Sequence, residues 1–154
     1  ANFIQTQLVY DVPAFAVYME KVRELGLHKK TYILAGVGPL KSPGMARYMK
    51  NNVPGILVPD EIIDRMTAAG APWAGKKNDE LTKEDKRERS AAWREEGIKI
   101  CIELIQQLRE IEGVSGVHIM AIEWEEAVKP IVEGAGLFPR PHVSEPQLAG
   151  ELQS

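Results

Sequence analysis

The residues best able to do chemistry lie in a few short stretches. Gln5 and Gln7 sit in FIQTQLVYDVPAF (3–15), an otherwise apolar run leading into a helix. A carboxamide both donates and accepts, so it can read a heterocycle edge that carries an amine beside a ring nitrogen, as in pterins and pyrimidines. The plainer alternative is a structural pair that satisfies buried polar groups. In AGVGPLKSPG (35–44), Gly36, Gly38 and Gly44 allow a tight turn and close approach of a ligand to backbone, without dinucleotide-fingerprint spacing. An ordinary loop fits the same residues. Glu123, Glu125 and Glu126 suit an acidic first helical turn. His118 has no second His, Cys or carboxylate at ligand spacing, so it reads as a hydrogen-bonded core residue and no metal is expected. No Ser–His–Asp or Cys–His arrangement is visible, and no residue is assigned a catalytic role.

These residues must be held by strands and helices. Strict alternation along the first strand puts Gln5, Gln7 and Val9 on one face and Ile4, Thr6, Leu8 and Tyr10 on the other. A helix from about Pro13 to Leu25 follows, with Phe15, Tyr18, Val22 and Leu25 as its apolar stripe, Asp11 as cap and Gly26 as stop. TYILAGVG (31–38) has the continuous apolar pattern of a parallel strand buried on both faces. Short helices are expected over 43–52 and 59–69, and a solvated charged loop or frayed helix start over about 70–90. A long helix follows from Ala91 to Glu112, its apolar face running from Trp93 through Gly97, Ile100, Cys101, Leu104 and Leu108 to Ile111. VHIMAI (117–122) reads as the third strand and WEEAVKPIVEGAG as a last helix interrupted at Pro130; residues 138–154 form a docking or frayed arm.

Strands alternating with helices imply an α/β fold with a parallel sheet and right-handed crossovers. Three strands leave two edges unpaired and one face uncovered, so the expectation is part of a parallel barrel. In such folds ligands sit at the carboxyl ends of the strands, here 7–11, 37–41 and 122–125.

Composition narrows the classes. The 154 residues are 44% hydrophobic and 27% charged, a soluble globular profile. No apolar run nears the roughly 20 residues that span a bilayer. Net charge is −3 with no basic face, which argues against nucleic acid as a partner. Cys101 stands alone, as expected of core packing in a reducing compartment such as the cytoplasm. With no initiator Met and a strand starting within three residues of Ala1, the expectation is that a preceding part was removed, or that this is the second part of a longer protein.

Several segments, in order, resemble the methylenetetrahydrofolate reductase family: TQLVYDVPAF, YILAGVGPLKSP, VPDEIIDRM, and EEGIKICIELIQQLREIEGVSGVHIMAIE. The resemblance covers most of residues 3–137. It implies a (β/α)8 TIM barrel of which residues 1–137 are the last three βα units, the remainder coming from the same or another polypeptide. It also implies an oligomer and a flavin cofactor, FAD with FMN possible, that reduces methylenetetrahydrofolate to methyltetrahydrofolate. The family's catalytic glutamate and most flavin contacts belong to earlier strands that this sequence lacks, so no cofactor-binding residue is assigned.

By the same resemblance Gln7 matches the glutamine that hydrogen-bonds the pterin of a folate-type substrate, while Gln5 has no assigned role. Met49 falls where the family has an aromatic residue, Met45 where it has a glutamine, and Trp124 where it has an arginine. Met49, Ile122 and Trp124 are expected to wall the pterin. Two other functions fit: a non-catalytic pterin-binding or barrel-completing subunit, and a related flavin enzyme acting on another one-carbon carrier, suggested by Met45, Met49 and Trp124.

Overall fold

A computed structural model describes residues 2–139. The elements are β1 (Phe3–Leu8), α1 (Val12–Glu24), β2 (Tyr32–Val37), α2 (Pro43–Asn52), α3 (Asp60–Ala69), α4 (Lys83–Arg109), β3 (Val114–Ile119) and α5 (Val128–Gly134). The strands form one parallel sheet in the order β1-β2-β3. This is an α/β fold with three parallel strands and helices, as part of a TIM barrel requires. The proposed arm falls outside the described residues beyond Pro139. No helix among the described residues is long and apolar enough to cross a membrane.

Helices cover one face of the sheet. Ile33, Ala35 and Val37 of β2 point into a core with Phe15, Met19 and Val22 of α1 and Cys101, Ile105 and Leu108 of α4. A second core lies beyond the strand ends, where Leu40, Met49, Ile62, Met66 and Leu104 gather between α2, α3 and α4. The opposite sheet face carries no helix among the described residues. Phe3 and Tyr32 at the base of β1 and β2 remain 57% and 69% exposed.

Asp11 caps α1, its carboxylate accepting the Ala14 N–H at 2.9 Å, and Gly26 with φ +67° turns the chain away. The buried stripe of α1 is Phe15, Met19 and Val22; Tyr18 and Leu25, expected on it, are 45% and 69% exposed. Helix α4 starts eight residues before Ala91, inside the stretch expected to be a solvated loop or a frayed helix start. A capping box closes its first turn: the Thr82 hydroxyl takes the Asp85 N–H at 3.0 Å and Asp85 takes the Thr82 N–H at 2.9 Å. At 27 residues α4 is about 40 Å long. Gly97 lets it lie against the loop after β2, since a Cβ there would come 1.8 Å from the Leu40 oxygen.

Strand β3 begins at Val114, three residues earlier than expected, and ends at Ile119; His118 is its fifth residue rather than its second. Pro130 does not interrupt the last helix. It stands in the first turn of α5, where a proline's missing N–H costs nothing.

Alternation along β1 fails as well. Gln5 pairs with Leu34 but Leu8 pairs with Gly36, so β1 spends one extra residue between them. This bulge puts Leu8 on the same face as Gln5 and sends Val9 into the helix-side core, where strict alternation had grouped Val9 with the glutamines.

Candidate functional site at the strand carboxyl ends

Because the strands are parallel, the ends of β1, β2 and β3 all open on one rim. The bulge sets the first of them. The Thr6 hydroxyl accepts the Gly36 N–H at 3.0 Å and donates to the Gln7 carbonyl at 2.8 Å. The polar duty toward backbone therefore falls to Thr6. Gln7 is exposed, and its amide oxygen makes only a long 3.4 Å contact to the N–H of the adjacent Leu8 among the described residues. Gln5 lies lower, opposite Leu34, and is also exposed.

The ends of β2 and β3 are drawn together at Gly38, where a Cβ would come 2.6 Å from the Met120 oxygen and 3.0 Å from the Leu8 side chain. The Tyr10 hydroxyl donates to the Gly38 oxygen at 3.2 Å; burial pushes this phenol well above its ordinary range, so it stays neutral. Three residues on, the Lys41 ammonium donates to the Glu123 oxygen at 3.0 Å. Glu123 holds φ +51°, an uncommon conformation for a residue with a Cβ. The lysine thus pins the turn that presents Ile122, 52% exposed, to the rim. Met45 closes the other side, its sulfur accepting the Lys41 N–H at 3.5 Å.

Residues 1–136 match the family described as methylenetetrahydrofolate reductase. The chain belongs to that family. Methylenetetrahydrofolate reductase 1 of Schizosaccharomyces pombe is 28% identical over 139 residues, which are 90% of this chain and 19% of that protein. The chain therefore spans less than a fifth of this relative's length.

Within this reductase-family chain, the fold brings Lys41, Met45 and the 122–124 turn together. Of the three residues expected to act as walls, Met49, Ile122 and Trp124, it puts Met49 and Trp124 in different cores. Met49, 8% exposed, packs in the core beyond the strand ends, and Trp124, also 8% exposed, packs with Ala127 and Ile131 in the helix-side core. Arg94 of α4 lies over the Trp124 ring with its guanidinium carbon 5.4 Å from the centroid. A cation thus meets the Trp124 ring from a residue thirty positions upstream. Lys41 and Arg94 were not singled out by sequence. PLKSPG marks a loop, and nothing local reveals which turn or ring either cation will meet.

The remaining candidates take plain roles. Glu125 and Glu126 open the 3-10 turn Glu125–Ala127 as an acidic first turn. Cys101 is 1% exposed, and burial pushes its thiol up to about 12. His118 faces the uncovered side of the sheet in register with Gly36. No group of three potential metal ligands occurs among the described residues.

Proposed function

We propose that this chain is the last three βα units of the (β/α)8 barrel of a flavin-dependent methylenetetrahydrofolate reductase, and that its strand ends form part of the folate site. The supporting observation is Gln7. It stands at the carboxyl end of β1 with its carboxamide exposed and the local backbone already satisfied by Thr6. A free donor–acceptor pair there can meet the amine and ring nitrogen of a pterin edge. The uncovered sheet face and the edges of β1 and β3 are completed by the rest of the barrel.

Reduced flavin, when bound, supplies the hydride that converts the methylene carrier to the methyl carrier. We assign none of this chain's residues to the flavin, whose site belongs to the earlier units. The residues here orient and enclose. Gln7 fixes the pterin edge, Met45 and Ile122 bound it laterally, and Lys41 holds the turn bearing Ile122. Met49 and Trp124 act from behind, Met49 by supporting α2 and Trp124 by seating Arg94 at the corner where a substrate carboxylate can be met.

A related flavin enzyme using another one-carbon carrier is the second reading, favoured by Met45 and Trp124 standing at folate-contact positions. Anaerobic titration separates the readings. The full-length protein, reduced at its flavin, should be reoxidised stoichiometrically by methylenetetrahydrofolate with formation of methyltetrahydrofolate. A colourless protein that takes up no flavin would sink both readings; a flavoprotein that methylenetetrahydrofolate does not reoxidise would leave the second.

A further inference from the structure

A separate cavity of about 290 Å³ lies on the other side of α2 from Met45. Three parts of the chain build it: the first turn of α2 with Arg47, the segment from Thr67 at the end of α3 to Lys76, and one face of α4 carrying Arg89 and Trp93 at i, i+4 spacing. Its lining holds Arg47, Lys76 and Arg89 and no carboxylate, in a chain with 22 acidic and 19 basic residues. None of the three takes part in an ion pair among the described residues.

The donors are held in place. The Arg89 guanidinium stacks on the Trp93 ring, 4.8 Å from its centroid, and donates to Asn78 at 3.0 Å. Arg47 donates to the Thr67 hydroxyl at 3.1 Å. Two buried donors, Arg89 Nε and Trp93 Nε1, meet no protein acceptor. Gly70 is what admits the indole edge, since a Cβ there would lie 2.5 Å from Trp93 Nε1. Asp85 at the rim is held low chiefly by hydrogen bonds from Thr82, with Lys76 and the Trp73 indole adding to the effect; it offsets part of the Lys76 charge and leaves the two guanidiniums.

Two guanidiniums and an ammonium, none in an ion pair among the described residues, around a cavity whose lining has no carboxylate make a setting that a multiply charged oxyanion satisfies and a neutral or cationic ligand does not. We propose that this cavity binds a small polyanion, a phosphate ester or a chain of carboxylates, outside the strand-end site. The proposal stands whether or not the folate reading does.

The test is calorimetric titration of the full-length protein with pyrophosphate and, separately, with triglutamate. Saturable binding of one probe, weakened at least tenfold in R47A/R89A, is the expected result, and the probe that binds identifies phosphate or carboxylate as the source. No binding of either probe, or equal binding by the double variant, would overturn the proposal. Should R47A/R89A fail to fold, R89K decides, because it keeps a cation and removes the planar guanidinium that lies over the Trp93 ring. Affinity at least threefold weaker supports the site, and unchanged affinity overturns it.

Discussion

The Lys41 ammonium and the Glu123 carbonyl oxygen meet at 3.0 Å, tying the loop after β2 to the turn after β3. That turn holds a residue at φ +51°, a conformation that needs outside support. K41M keeps much of the aliphatic stem and removes the charged donor. We expect folate affinity to fall about fivefold, corresponding to about 1 kcal/mol for a partly solvated charged hydrogen bond, with flavin content unchanged. Unaltered folate titration would mean that the turn holds itself.

Gly97 decides how closely α4 approaches the loop after β2. A methyl group there would fall 1.8 Å from the Leu40 oxygen, so G97A must push the helix off both cores. A loss of about 3 kcal/mol is expected, seen as a lower denaturant midpoint of the full-length protein. An unchanged midpoint would contradict this packing.

Arg65 of α3 binds Glu96 at 2.7 Å and also Glu103, joining α3 to α4. The hydrogen bonds from Arg65 hold the Glu103 carboxyl below its ordinary value of 4.5. A carboxyl depressed on folding contributes stability above its unfolded pKa and loses it as pH falls through the folded value. Arg65 and Glu103 are each more than a third exposed, so solvent screening limits what this pair contributes to about 1 kcal/mol near neutral pH. The difference in melting temperature between the native protein and R65A should hold down to about pH 5 and shrink below that. A difference that grows on acidification would contradict the assignment.

Much of this fold was legible because the signals are local. Ser42-Pro43 and Pro59-Asp60 are helix starts, and α2 and α3 run from Pro43 and Asp60. The continuous apolar run of β2 marked the central strand. Three features needed the tertiary structure. The first half of α4 is polar all round and shows no helical period, although Thr82 and Asp85 stood at capping-box spacing. Val114-Ser115-Gly116 has no strand character of its own and is extended because Ile33 and Leu34 pair with it. The bulge in β1 leaves no mark in TQLVYD, yet it frees Gln7 by giving its backbone duty to Thr6. At the site, Gln7 and Ile122 are exposed near the carboxyl ends of β1 and β3. Met49 and Trp124 sit deeper, Met49 because α2 packs it into the core shared with α3 and α4, Trp124 because it packs into the helix-side core.

The most direct test is folate titration of the full-length protein carrying Q7L, with Q5L as its neighbour control. Gln7 is exposed and supports no other element, so Q7L should leave the melting temperature unchanged and weaken folate binding by about 1–3 kcal/mol, while Q5L binds nearly as the native protein does. Native affinity in Q7L would remove the carboxamide from the site and take away the support for a folate-reading rim.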